Sequence, residues 1–223
     1  MLTSDFFSQD SATVAKALLG KVLRHRYKNS WLSARIIETE AYYLTEKASH
    51  SSLGYTEKRK AMFMSPGTIY MYYSRGQDSL NVSCGNEGDA VLIKAGVPFI
   101  DQLSPEENIN IMQQLNPAQN GSPRPVNKLC SGQTLLCRSL NLKVTNWNQQ
   151  QFDKNNFFIE DVNLSPAKMI QTTRLGIHES RDAHLMYRFI DFEFAQYCTN
   201  NPLTKRTFSE GKDYLILGGS TCV

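Results

Sequence analysis

Lys21-Val22-Leu23-Arg24-His25-Arg26-Tyr27, then Lys28-Asn29-Ser30, then Trp31-Leu32-Ser33-Ala34-Arg35-Ile36-Ile37-Glu38-Thr39-Glu40-Ala41-Tyr42 is the stretch on which the fold reading turns. Apolar and polar residues alternate along both arms, and the Lys-Asn-Ser break separates them, so the stretch reads as a β-hairpin. Upstream, Ser8-Gln9-Asp10-Ser11 offers N-cap candidates for an apolar-periodic run from Ala12 to Leu19, and Gly20 is a natural stop. A short helix is therefore predicted ahead of the hairpin.

Working outward, Leu44 to Ala61 is polar and irregular. Thr68 to Tyr73, Ser79 to Ser83 and Ala90 to Ala95 are short β-rich runs divided by glycine-containing turns, which extends the sheet. Ser104-Pro105-Glu106-Glu107 combines a capping box with proline at the first helical position, and Ile109, Ile111, Met112 and Leu115 follow at helical spacing. Asn116 to Val126 holds three prolines and a glycine and reads as a loop; Asn127 to Leu140 reads as a shorter helix with Gly132 inside it. Further strands are predicted at Phe157 to Glu160 and Met186 to Phe194, with Thr199-Asn200-Asn201-Pro202 punctuating the chain before an exposed end. Strands precede and flank helices without β-α-β alternation. The expected fold is α+β: a single domain over residues 1–223 with a mainly antiparallel curved sheet, flanking helices and a protruding β-hairpin.

With 41% hydrophobic and 20% charged residues in 223, the composition is that of an ordinary globular protein. A net charge of +3 permits a polyanionic partner without requiring one. No basic-then-apolar leader and no bilayer-length apolar run is present, so a cytoplasmic protein without membrane contact is expected. The cysteines Cys84, Cys130, Cys137, Cys198 and Cys222 form an odd, widely spaced set with no C-x-x-C pair, and are expected to be reduced thiols. His178 and His184 lack the spacing of a helical zinc pair, and no metal or cofactor is expected. The G-x-S-x-G, Walker and G-x-G-x-x-G signatures of hydrolase and nucleotide folds are absent.

A period of two over Ala34 to Tyr42 places Ile36, Glu38, Glu40 and Tyr42 on one face and Arg35, Ile37, Thr39 and Ala41 on the other. Alternating charge is common on solvated sheet faces, yet glutamate is a poor strand former, and two beside a tyrosine are unusual. In Thr68-Ile69-Tyr70-Met71-Tyr72-Tyr73-Ser74-Arg75-Gly76-Gln77, Tyr70 and Tyr72 share a face and the Ser-Arg-Gly-Gln turn projects. Such rings can sandwich a base and such a turn can enter a groove, although the same pattern also fits tyrosines packing an ordinary core.

Taken together, Ala17-Leu18-Leu19-Gly20-Lys21, Ile37-Glu38-Thr39-Glu40-Ala41-Tyr42, His50-Ser51, Met62-Phe63-Met64-Ser65-Pro66-Gly67-Thr68-Ile69-Tyr70 and Leu80-Asn81-Val82-Ser83 resemble, in order and spacing, the alkyladenine (3-methyladenine) DNA glycosylase family. Weaker echoes at Leu129-Cys130-Ser131-Gly132 and Arg174-Leu175-Gly176-Ile177 extend the resemblance over most of the chain. The resemblance implies a monofunctional base-excision-repair enzyme that flips alkylated or deaminated purines (3-methyladenine, 7-methylguanine, ethenoadenine, hypoxanthine) from double-stranded DNA and hydrolyses the N-glycosidic bond. It implies Glu40 as the base that activates water, Tyr42 and His50 on one side of the base pocket with Tyr72 on the other, and Asn81 as the group that excludes normal guanine.

Two positions depart from the family pattern. Arg75 stands where a tyrosine wedge is common, which leaves Tyr73 or Gln77 to share the gap-filling task. Lys94 replaces an arginine of the mammalian members, keeping the charge near the target phosphate but losing the bidentate fork. Lys58, Arg59 and Lys60 form a further patch suited to phosphates. A monomer is the expected state. Two other readings of the same residues are a non-catalytic minor-groove DNA-binding protein that recognises distorted duplex, and a carbohydrate-acting pair made of Glu38 and Glu40; two carboxylates so close on one strand face cannot flank a sugar from opposite sides.

Overall fold

The computed structural model describes residues 1–218, which fold into an α+β domain around a nine-stranded sheet. In chain order the elements are α1 (Ser4–Phe7), α2 (Ser11–Leu18), β1 (Val22–Tyr27), β2 (Ser30–Tyr42), β3 (Ile69–Ser74), β4 (Gln77–Ser83), β5 (Ala90–Pro98), α3 (Asn108–Leu115), α4 (Gln133–Ser139), α5 (Val144–Trp147), β6 (Phe157–Glu160), β7 (Lys168–Thr172), β8 (Arg188–Asp191) and β9 (Tyr214–Gly218). The sheet runs β3-β4-β5-β2-β8-β7-β9, with β1 pairing both β2 and β6, and each of these strand pairings is antiparallel.

The opening hairpin forms as its alternation predicts, Val22 facing Arg35 and Tyr27 facing Ser30. Asp10 caps α2 by accepting the Thr13 N–H at 3.1 Å. Gly20 ends that helical segment at φ +88, and a Cβ there would lie 2.3 Å from the Leu164 carbonyl oxygen, so no other residue fits. α2 lies across β2, where its Val14, Ala15 and Leu18 join Leu23, Leu32, Ala34, Ile36 and Ala41 in the main core.

Several elements differ from the sequence reading. The period of two along β2 is broken: the β2–β5 register shifts on both sides of Glu38, so Ile36 joins Ala41 in the main core and is not on the face of Glu40 and Tyr42. α3 begins at Asn108, three residues past the expected proline start, because the Ser104 hydroxyl is bonded to the Ser33 hydroxyl at 2.5 Å instead of capping a helix. The helix expected over Asn127 to Leu140 is confined to α4, since Gly132 at φ +115 is outside helical backbone space. The strand expected over Met186 to Phe194 is the shorter β8, followed by a 3-10 turn over Phe192–Tyr197. Local alternation predicts no strand at β7 or β9, and the chain beyond Pro202, expected to be an exposed end, returns to pair β9 with β7. Cys84, Cys130, Cys137 and Cys198 are free thiols, and Cys222 lies outside the described residues. No helix is long and apolar enough to cross a membrane among the described residues.

Candidate active site

β2 carries both glutamates inward, where neither has accessible surface, so the exposed-face pattern their alternation suggested is not realised. A buried carboxylate is tolerated only when its charge is matched and its lone pairs are used. Glu38 is matched by Arg188 of β8: Nε donates to Oε1 at 2.7 Å, while Thr199 adds its backbone N–H to Oε2 at 3.0 Å and its hydroxyl to Oε1 at 2.7 Å. Every polar atom of Glu38 is thus engaged in tying β2 to β8 and the segment after it, which leaves it no role as half of a carbohydrate-acting pair.

Glu40 is bound differently. The Tyr42 hydroxyl donates to Oε2 at 2.7 Å, the Lys94 ammonium stands 3.2 Å from Oε1, and the Leu175 N–H reaches Oε1 at 3.5 Å. Burial alone would raise the Glu40 pKa; Lys94, the Tyr42 hydroxyl and the charge of Arg188, its cross-strand neighbour, outweigh burial and hold it below the ordinary carboxylate value. Burial and the adjacent Glu40 charge push the Tyr42 phenol well above its usual value, so it stays a donor.

Tyr42, Lys94 and Leu175 also line a cavity of about 630 Å³, large enough for a purine nucleoside. Glu40 is not itself one of the lining residues; it lies beneath them, in contact with all three. Its walls are aromatic: Tyr70 and Tyr72 of β3 stack at 5.5 Å between ring centroids, and His50 meets Tyr72 edge-on at 4.5 Å. The His50 Nδ1 is 3.0 Å from the Tyr70 hydroxyl, and Asn81 of β4 donates to the Tyr70 carbonyl at 3.2 Å. Burial lowers the His50 pKa, and the Arg59 and Arg181 charges lower it further, so its ring is neutral at pH 7. Since His50 and Tyr72 touch, no base fits between them; they belong to one wall, which corrects the expectation that they face each other across the pocket.

Arg174 forms the backing of this site. It stacks 4.5 Å from the Tyr42 ring centroid, donates to the Ala41 carbonyl at 2.8 Å and is ion-paired with Glu46. The guanidinium covers one face of Tyr42, leaving the other for the cavity. In the sequence the Arg174-Leu175-Gly176-Ile177 segment is only a weak echo of the family pattern and carries no role. Its partners Ala41 and Glu46 lie more than a hundred residues away in the chain, beyond the reach of any local pattern.

At the far end of β3, Arg75 and Gly76 have φ +50 and +76, both central residues of a two-residue hairpin turn. Arg75 and Gln77 line the cavity. Gln77 accepts from Arg138 of α4 at 2.5 Å, and Asp78 accepts the Val144 N–H at 2.9 Å, so the turn is braced from behind. Tyr73 points away from the cavity and is 57% exposed. Lys58 is exposed; Arg59 donates to the carbonyls of Leu53 and Gly54 at 3.1 and 3.0 Å. Neither lines the cavity. No group of three metal-ligating side chains is placed to hold a metal ion among the described residues.

The resemblance seen in the motifs extends to whole sequences. The chain is 56% identical over 217 residues, 97% of its length and 90% of the relative's, to a Pseudomonas aeruginosa LESB58 protein named "Putative 3-methyladenine DNA glycosylase". A Pseudomonas fluorescens Pf0-1 protein of the same name is also 56% identical, over 97% of this chain and 93% of its own. One from Clostridium botulinum is 32% identical over 90% of this chain and 96% of its own. A sequence model of methylpurine-DNA glycosylase matches residues 5–193, which span the α2 cap, both glutamates, the aromatic wall, the hairpin and β8. An ionised carboxylate under an aromatic cavity is thus set in a chain that, along almost its whole length, belongs to the methylpurine-DNA glycosylase family.

Proposed function

We propose that this DNA glycosylase of the 3-methyladenine type seats an extruded alkylated or deaminated purine in the aromatic cavity and hydrolyses its N-glycosidic bond with a water activated by Glu40, leaving an abasic site. The observation that carries the reading is the Glu40 carboxylate, kept ionised beneath the floor of a purine-sized cavity. Tyr42 holds Oε2 with the shorter bond, whereas both partners of Oε1, Lys94 and Leu175, line the cavity and stand farther off, so in this proposal Oε1 takes up a water when the nucleotide enters and these contacts part. As the bond from the anomeric carbon to the purine nitrogen breaks, the water oxygen attacks that carbon and its proton passes to Glu40. Until that proton has been transferred, the carboxylate's negative charge opposes the positive charge that develops on the sugar; the second water proton stays on the new sugar hydroxyl and the purine leaves with the bonding pair.

A purine alkylated at N3 or N7 is already cationic and leaves without a strong acid. It gains about 2 kcal/mol from a desolvated aromatic face, and the neutral His50 does not repel it. A neutral lesion such as hypoxanthine gains less. Water is the nucleophile in this proposal, with Lys94 engaged as the partner of Glu40, so no strand cleavage accompanies base loss. The roles of Arg75 and Gln77 at the duplex gap, of Asn81 against guanine, of Lys58 and Arg59 on phosphates, and the monomeric state are parts of the same proposal.

Duplexes carrying hypoxanthine, ethenoadenine, 7-methylguanine or 3-methyladenine, incubated with the protein and then treated with alkali, should be cut at the lesion. Glu40→Gln should bind the same duplexes and lose excision by a factor of at least about 10³. Excision by Glu40→Gln at the wild-type rate would remove Glu40 from the role, and tight lesion binding by wild type without base release would leave a distortion-binding protein.

A further inference from the structure

Three cations line the cavity: Arg75, Lys94 and Arg181. Lys94 is 13% exposed and its charge is engaged with Glu40. Arg75 sits on the hairpin turn. Arg181 is different. It is exposed, and its guanidinium is anchored by one edge, with Nε and Nη2 donating to the Lys47 carbonyl at 2.9 and 2.6 Å. The neighbouring Asp182 accepts the Lys47 N–H at 2.9 Å, so the two residues grip both polar groups of that backbone position. Among the described residues Nη1 donates no hydrogen bond and the guanidinium forms no ion pair.

The segment that carries Arg181 starts at Leu175, whose N–H reaches Glu40, and the Arg181 N–H closes a turn on the His178 carbonyl at 2.8 Å. A cation held this way loses little side-chain freedom on taking an anion, and its unused edge presents the paired donors that match phosphate oxygens.

We propose that Arg181 binds a phosphodiester flanking the extruded nucleotide, supplying the rim contact that Lys94, drawn down to Glu40, does not. The proposal rests on the cavity being the seat of that nucleotide. Binding is read separately from base release, so the two claims fail separately.

Arg181→Gln keeps a donor for the Lys47 carbonyl and removes the charge. Its affinity for a duplex with a single ethenoadenine, measured by fluorescence anisotropy across salt concentrations, should fall roughly three- to tenfold, with the slope of log K against log salt reduced by about 0.9, one phosphate's worth. Arg181→Lys should regain the slope. A methylphosphonate at one phosphate beside the lesion should cause the same loss in wild type and none further in Arg181→Gln. Weaker binding with an unchanged slope would reduce Arg181 to a brace for Lys47, and methylphosphonate losses that add in full at both flanking phosphates would equally overturn the assignment. Base release by wild type, scored in parallel, tests the glycosidic chemistry alone: its absence alongside the expected slope change would fail that reading and leave the phosphate contact standing.

Discussion

At the residue scale the two glutamates of β2 show how identical side chains, two positions apart, acquire different work. Glu38 is closed off by Arg188 and Thr199, whereas Glu40 has one oxygen held by a phenol and the other only loosely bridged. Lys94 is the main counterweight to the burial of Glu40. Replacing it with methionine removes that counterweight, so burial takes over and the Glu40 pKa rises. Under the proposed mechanism the acid limb of the kcat/KM profile for Lys94→Met should move to higher pH, each unit of rise lowering the rate on that limb about tenfold. Lys94→Arg should keep the limb near its original place. A profile for Lys94→Met that superimposes on wild type would show that the ammonium does not set the Glu40 charge.

At the scale of the element, the β3–β4 hairpin combines strain with bracing. Arg75 adopts a left-handed backbone that asparagine and glycine tolerate far better, at a position lining the cavity. Strain of this kind persists where the surroundings enforce it and commonly marks a working site. Here the enforcement comes from Arg138 on Gln77 and from the Val144 N–H and Lys143 on Asp78. Arg75→Asn should therefore stabilise the protein by roughly 1 kcal/mol, raising Tm by about 2–4 °C, while weakening discrimination of lesion from undamaged duplex in competition binding. Thermal melts and binding run on one preparation test both halves. A variant neither more stable nor less discriminating would leave the arginine without a function at that turn.

For the molecule as a whole, pH acts through buried histidines. His25 packs edge-on against Trp147 and Phe157 with Nδ1 2.7 Å from the Leu140 carbonyl, and burial lowers its pKa. The folded protein then binds fewer protons than the unfolded chain below the ordinary histidine value of about 6.5. The stability due to this group is complete above that value and is lost as pH falls through it toward the folded pKa. Tm should drop between pH 7 and pH 5, and His25→Gln, which cannot titrate, should show a smaller drop over that window. Equal drops in the two proteins would place the pH sensitivity elsewhere. Asp10, Asp101 and Asp161, with pKa values held low by hydrogen bonds, act in a lower window: their stabilisation is present above the usual carboxylate value near 4 and fades beneath it.

Local order in the chain was enough to read the opening hairpin, the capped α2, the β3–β4–β5 runs and the α+β class, because alternation, capping residues and turn glycines act between residues a few positions apart. The motif order was likewise enough to single out Glu40, Tyr42, His50, Tyr72 and Asn81, which the fold brings to one cavity or directly beneath it. The bulge that turns Ile36 away from Glu40, the short strands β7 and β9, and the burial of both glutamates were not legible. Each depends on partners distant in the chain: β5 for the bulge, β8 for the pairing of β7, Arg188, Lys94 and Leu175 for the carboxylates. A charged residue in an alternating run looks solvated until a counter-ion some 50 to 150 residues away is folded against it, as Lys94 and Arg188 are here. The placements of Arg174 behind Tyr42 and of Arg181 on the rim have the same origin, since ring stacking and hydrogen bonds to a distant carbonyl act through space and leave no periodic trace in sequence.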